Sequence, residues 1–473
     1  MKLPAIPLLL ATTIVTATQD HLQNANHIFN AIHASMRQFG SSLHHNGMSF
    51  FLASVPQGIQ LYHGSPSPDL LKEVGWMAFE PEHAMVFAQP ARGRRSRGIK
   101  TSPDQSEQVP LAASEQTAEN RSGYLHSYRT AKDLRLLYID GTSAGKSRVG
   151  TLDSQDRILF NDTISPGGVG MEEVRARTVC HIAKNTWQGR IDGVIRMAAG
   201  FEIILCDPEV NLVPVRVMPV KDGKGKPRQK PAELMRAVMS RFNGIGGERV
   251  RLIYDHFVTA YTHPLDLFPL EDNKGPRLQH LSTESLEPLR DNLTDLVMEH
   301  DVNAGTVNWQ AIADLVADKY APLLRGLIGK DKPRHHQKKK INPSVAITTI
   351  MAPFDGPDID ESVLLCASQF VSTPDGDSPL AHQAVYTVSH RICSTLLELR
   401  DETDKEVVHS AIRELMVYLD WTAWKECRGC KDTEFCAVPV WPQGSQEDHD
   451  TPKCQRFTKA YQAGGDYWGP VWD

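Results

Sequence analysis

The hydrophobic positions change period several times along the chain, and each change predicts an element. In residues 27–40 (HIFNAIHASMRQFG), Ile28, Ile32, Met36 and Phe39 recur at helical spacing and Gly40 supplies a stop, which predicts one helix. Two strand-like runs follow, 48–55 (MSFFLASV) and 58–64 (GIQLYHG), separated by Pro56 and Gln57. In the second run Ile59, Leu61 and His63 share a face. Residues 123–140 read as two strands, 171–187 as a helix, and 192–197, 201–207 and 212–220 as strands. After residue 231 almost every segment carries a helical period: 232–243, 248–261, 284–300, 309–327, 382–399 and 405–424. The order predicts an α+β N-terminal domain followed by a mostly α-helical C-terminal domain.

Polar and small-residue stretches mark the boundaries. Residues 1–17 combine one lysine, a short apolar run and the small-x-small Val15-Thr16-Ala17, the pattern of a signal peptide cleaved after Ala17. Residues 89–122 are rich in Arg, Ser, Gln, Glu and Pro with few large apolar side chains, which predicts a disordered insertion in an α+β domain at 18–219. The basic Gly/Pro stretch 220–231 reads as a linker, ahead of a helical domain at 232–426 and a Cys- and Trp-rich cap at 427–473. The basic run 329–340 reads as a solvated connection between helices. No second apolar stretch of spanning length follows the leader, so no membrane span is expected and the mature chain is expected to be secreted, outside the cell.

Composition adds exclusions. A net charge of −6 over 473 residues gives no reason to expect nucleic acid as a partner. The eight cysteines of an exported chain predict up to four disulfides; sequence does not fix the pairing, although segment neighbourhood suggests Cys180–Cys206 and Cys366–Cys393. Cys427, Cys430, Cys436 and Cys454 have a spacing that superficially resembles a zinc ribbon. Zinc needs thiolates, and in an oxidising compartment those thiols are expected as disulfides, so no metal is assigned. The sequons at Asn120, Asn161 and Asn292 are candidate glycosylation sites. Nothing in the pattern points to an oligomeric state.

The stretch YIDGTSAGKS, residues 138–147, suggests two chemistries. Its tail GKS ends like a phosphate-binding loop, but that loop needs a glycine five residues before Gly145, and Asp140 stands there. GTSAG fits the nucleophile elbow of serine hydrolases, with Ser143 as nucleophile after the strand-like LRLLYID. His63-Gly64-Ser65 lies upstream where such esterases carry an oxyanion loop, and Asp255, His256 and His263 are among the candidate partners. The plain alternative is a Gly/Ser turn after a strand.

Five segments in order, QLYHGSPSP (60–68), GWMAFEPEHAMVFA (75–88), the strands of 123–140, DGVIRM (192–197) and GFEIILCDPEV (200–210), resemble the ADP-ribosyltransferase-like superfamily. The resemblance covers about a third of the chain and implies a mixed or antiparallel sheet. It implies that NAD is a substrate rather than a tightly bound cofactor, with a nucleotide or protein as acceptor. His63 would hydrogen-bond the ribose, Gly64 would bring its backbone to the nicotinamide amide, and Ser65 would contact the ribose side. Trp76, Phe79 or Phe87 would provide the stacking aromatic. Glu202 would be the catalytic carboxylate, placed near the positive charge that develops as nicotinamide leaves. Glu202 also stands out by itself, because FEIILC is apolar on both faces and a buried carboxylate needs a partner or a purpose. The whole chain further resembles an uncharacterised family of secreted fungal proteins. The sequence thus leaves three functions open: ADP-ribosyl chemistry at His63 and Glu202, a serine esterase using Ser143, or a non-catalytic secreted binding protein.

Overall fold

The computed structural model describes residues 22–89, 123–164, 171–220, 231–269, 275–302, 307–329, 343–457 and 467–469. The expected leader, Asn120 and nearly all of the expected insertion and linker lie outside these residues. The helix expected over 27–40 is in fact two, α1 (Ala25–Ala34) and α2 (Gln38–Leu43). Between them Ser35 leaves the helical region and Met36 is left-handed, with φ 54°. Tertiary bonds make this break, so no apolar period reports it. The Met36 N–H donates to the Tyr138 hydroxyl at 3.1 Å, and Arg37 donates to both oxygens of Asp314 at 2.7 Å. α2 folds back so closely that a Cβ at Gly40 would fall 2.7 Å from that of Ala34.

Nine strands form one mixed sheet. They are β1 (Asn46–Val55), β2 (Gln60–Ser65), β3 (Gly75–Ala78), β4 (Gly123–Thr130), β5 (Leu134–Gly141), β6 (Gly193–Met197), β7 (Phe201–Leu205), β8 (Leu212–Val220) and β9 (Arg251–Thr259). Their order is β8-β4-β2-β3-β7-β6-β5-β1-β9. Only β5 and β6 run parallel; the connection between them carries the helix α4 (Glu172–His181). β1 is buried at every position, as a strand covered on both faces is. β9 corrects the helix expected over 248–261. Its apolar residues fit a helical period, but the run Ile253, Tyr254, Phe257, Val258 and Thr259 is β-branched and aromatic, and pairing with β1 decides the outcome.

Short helices decorate the sheet: α3 (Pro81–Met85), α5 (Pro208–Asn211) and α6 (Pro231–Met239). The later part of the chain is more helical, with α7 (Glu287–Glu299), α8 (Trp309–Leu327), α9 (Pro343–Met351), α10 (Ile359–Ala367), α11 (Leu380–Glu398) and α12 (Lys405–Leu419). One apolar cluster runs from Phe29 and Phe51 through Ile204 to Leu293, Val316, Ile392 and Ile412, so sheet and helices share a core. The cap contains α13 (Gln446–Asp450) and a hairpin of β10 (Glu434–Ala437) and β11 (Lys453–Arg456). Disulfides join Cys180–Cys206 and Cys366–Cys393 as expected, and Cys427–Cys436 and Cys430–Cys454 tie the cap. The thiols of the zinc-like spacing are therefore consumed. Among the described residues no helix is long and apolar enough to cross a membrane.

Candidate functional site

His63, Gly64, Trp76 and Glu202 border one cavity of about 30 Å³, room for a water or two. His63 and Glu202 both border this space, but the strand pairing turns their side chains to opposite faces of the sheet. β2 pairs with β3 at Tyr62–Ala78, and β3 with β7 at Ala78–Glu202. Paired residues share a face, so Tyr62, Ala78 and Glu202 point one way and His63 the other. His63 pairs instead with His126, its ring edge-on at 5.8 Å, and its Nδ1 lies 2.8 Å from the Trp76 carbonyl. Burial lowers its pKa to about 4. A Cβ at Gly64 would fall 2.0 Å from the Ala84 carbonyl, so this glycine seats α3 against the sheet. The Ser65 hydroxyl accepts the Ser67 N–H at 3.1 Å, and Phe79 lies under the Arg249 guanidinium.

Glu202 has a partner. Arg196 Nε donates to its Oε1 at 2.8 Å, and the same guanidinium bonds Gln155 at 2.9 Å and also Glu172. Arg175 clamps Asp156 at 2.9 and 2.7 Å and reaches Glu172 at 3.2 Å; Lys146 Nζ lies 3.3 Å from Glu172. Burial alone would raise the Glu172 pKa, but Arg196, Lys146 and Arg175 outweigh it and hold it at about 2. Three cations thus oppose Asp156, Glu172 and Glu202 in a closed network.

The stretch 141–147 is a turn, and it organises a site elsewhere. The Ser143 hydroxyl is buried and donates to the Ile139 carbonyl at 2.8 Å. Thr142 N–H donates to the His45 carbonyl at 2.9 Å and its hydroxyl to that of Ser41 at 3.0 Å. On the other side Trp441 Nε1–H donates to the Lys146 carbonyl at 3.1 Å, and the Lys146 ammonium lies 5.0 Å above the Trp441 ring. The turn therefore joins the 41–45 segment to the cap.

Between those pieces lies a cleft of about 600 Å³. Its walls come from α1 and the segment 41–47, the end of β5, Tyr261, Phe268, Gly275 and Pro276, Asp420, Thr422 and Lys425, and His449, Asp450 and Tyr467 of the cap. Local geometry aims Asp140 at it. The β1–β5 register shifts between Asn46 and Phe50, and two glycines allow close approach there. A Cβ at Gly47 would fall 2.0 Å from Asp140 Oδ1, and Gly141 has φ 67° with its Cβ position 2.4 Å from the Gly47 nitrogen. The Ser49 N–H then donates to Asp140 Oδ1 at 2.9 Å.

The ionisable groups of the cleft are held in contrasting states. Burial raises the Asp140 carboxyl to about 7, although the Ser49 N–H opposes the shift. Asp420 follows α12 in a left-handed conformation, and its carboxylate lies 3.4 Å from His44 Nε2. Its side chain keeps 60% of its surface open to water, yet the concave walls crowd it. Crowding pushes its pKa up, and the His44 hydrogen bond together with His44, Lys425 and His27 pulls it below the ordinary value. Burial lowers His27 to about 4 and His45 to about 3, and it lowers His449 as well, so these imidazoles are neutral at pH 7. None of these cleft residues was singled out as a site from sequence. The one available signal was Asp140, a carboxylate closing the apolar run LRLLYI. Asn161 and Asn292, the described sequons, are exposed.

Residues 17–120 and 100–222 match a family described as the YPL277C N-terminal domain. Over 199 residues the chain is 32% identical to the uncharacterized protein YOR389W of Saccharomyces cerevisiae, covering 39% of this chain and 31% of that protein. Over 200 residues it is 32% identical to the uncharacterized protein YPL277C of the same yeast, covering 39% and 40%. The chain therefore spans less than half the length of these relatives. No solved structure matches it. These matches support the resemblance to an uncharacterised fungal family and do not extend to ADP-ribosyltransferases. The matched residues carry α1, His45, Asn46 and Asp140; Asp420, Lys425, His449 and Tyr467 lie beyond them.

Proposed function

We propose that the chain is a secreted protein that works in the 600 Å³ cleft, binding a small polar molecule there and hydrolysing it by proton transfer. One arrangement carries this reading: Asp140 and Asp420 line the same cleft, and their surroundings push their pKa values apart, Asp140 up to about 7 and Asp420 below its ordinary value. Environments that split a pair in this way assign an acid and a base. Near pH 6 Asp140 has a proton to give to a leaving group, while Asp420 takes one from the attacking water. The four disulfides and the leader pattern support secretion. The test is a panel of chromogenic glycosides, esters and phosphate esters assayed across pH. One class is expected to turn over, with a rate that falls above pH about 7 as Asp140 ionises. A rate flat through that range, or no turnover of any class, contradicts the proposal.

A second reading retains an ADP-ribosyltransferase-like domain acting on NAD, because His63, Gly64, Trp76 and Glu202 border one cavity. It requires Arg196 to release Glu202 and the cavity to open far enough for a dinucleotide. Nicotinamide release from NAD that disappears in Glu202→Gln supports this reading. No release from well-folded wild type removes it.

A further inference from the structure

We propose that the ligand of the cleft is a neutral, hydroxyl-rich sugar, gripped by Asn46 and His45 and stacked on Phe268; this rests on the reading of the cleft as the working site. Two neighbouring side chains on its wall carry unmet hydrogen-bonding atoms. Asn46 is 4% exposed, and its Nδ2 donates to the carbonyls of Val149 and Pro276, which fixes the amide's orientation. Its Oδ1 is then an acceptor without a partner. His45 is 6% exposed, has Nδ1 3.5 Å from the Tyr467 hydroxyl, and has no partner on Nε2. Whichever ring nitrogen carries the hydrogen, Nε2 is left unmet, as a donor or as an acceptor. Buried polar atoms are seldom left unpaired, and a hydroxyl group both donates and accepts.

Charge narrows the class further. Among the described residues no arginine borders the cleft, and its lysine, Lys425, interacts with Asp420 and Asp450. That is not the fork of donors that phosphate recognition uses. A cationic ligand would have to compete with Lys425, which already interacts with Asp420 and Asp450. Phe268 supplies the apolar element. It is 41% exposed and ends a stack in which His27 lies 5.1 Å from Tyr261 and 4.7 Å from Phe268. A flat ring exposed in a polar cleft suits the C–H face of a pyranose, with a few placed polar groups setting its orientation.

Saturation-transfer NMR on the intact secreted protein tests this, with glucose, galactose, mannose, N-acetylglucosamine and cellobiose as probes beside ADP-ribose and spermidine. At least one sugar is expected to bind. Asn46→Ala should weaken it about tenfold, the loss of one hydrogen bond, and Phe268→Ala by several-fold. Because the Phe268 side chain is exposed, its variant keeps the proposal testable even if Asn46→Ala misfolds. No sugar signal, or sugar binding equally tight in a folded variant, overturns the proposal. Binding of ADP-ribose or spermidine instead overturns the sugar assignment and leaves the cleft reading intact. The cleft reading itself stands or falls separately, on the pH profile of hydrolysis.

Discussion

The network around Arg196 and the cleft around Asp140 both hold ionisable groups away from bulk water, but only the network closes on itself. Three cations meet three carboxylates there, Arg196 and Arg175 are fully buried, and the adjoining cavity is about 30 Å³. In the cleft Asp140 makes no ion pair among the described residues, and about 600 Å³ stands open beside it and the unmatched atoms of Asn46 and His45; in the network Lys146 Nζ and Gln155 Nε2 also lack a hydrogen bond, but no such volume adjoins them. Buried charge that is fully paired holds a fold together. Buried polar groups left unpaired beside open volume are where a ligand belongs. Glu202 and Asp140 illustrate the contrast, since both are carboxylates at the end of an apolar strand and only one has its arginine.

The largest expected effect that sharpens this comparison is on the network. Arg196→Ala leaves Glu172 and Glu202 buried without their guanidinium and should cost about 3–5 kcal/mol in chemical denaturation. A loss below about 1 kcal/mol would break the comparison from that side.

Next in size is the dependence of stability on pH, and the two regions should respond with opposite sign. Folded Asp140 holds its proton up to about 7, whereas an unfolded aspartate releases it near 3.8. The Asp140 contribution is therefore complete at low pH and lost as pH rises towards 7, at about 1.4 kcal/mol per pH unit. Asp140→Asn should remove that slope, and the difference between variant and wild type should grow between pH 5 and 7 by on the order of 2–3 kcal/mol. Glu172 behaves in reverse: its contribution is complete above pH about 4.5 and lost as pH falls through about 2. A constant difference between wild type and Asp140→Asn across pH 5 to 7 contradicts the raised carboxyl.

The smallest effect is expected at Phe268. Its ring is exposed in the cleft, so Phe268→Ala should leave the thermal midpoint within a degree or two, equivalent to about 0.5 kcal/mol or less. A large destabilisation would make the ring part of the core rather than a surface for ligand.

Much of the sheet was legible because short, nearly continuous apolar runs such as MSFFLASV and FEIILC survive as strands, and the Cys180–Cys206 pair was suggested by segment. β9 was misread because its apolar spacing satisfies a helix too, and the break at Met36 depends on Tyr138, far away in sequence. The need of Glu202 for a partner could be read from its apolar neighbours, although the identity of that partner, Arg196, could not. The cleft was legible only in Asp140, the carboxylate that closes the apolar run LRLLYI. It gathers residues 45, 140, 420 and 449, and no local spacing announces a site whose walls meet only after the cap docks on the 141–147 turn.

The central claim is that chemistry resides in the cleft and not in the paired network. The most direct measurement is the initial rate of hydrolysis at pH 6, on whichever chromogenic class turns over, for wild type, Asp140→Asn and Glu202→Gln, each normalised to folded protein. The account predicts at least a hundredfold loss in Asp140→Asn, the scale of a missing general acid, and near-wild-type rate per folded molecule in Glu202→Gln. Unchanged hydrolysis in Asp140→Asn, or activity lost only in Glu202→Gln, would contradict it.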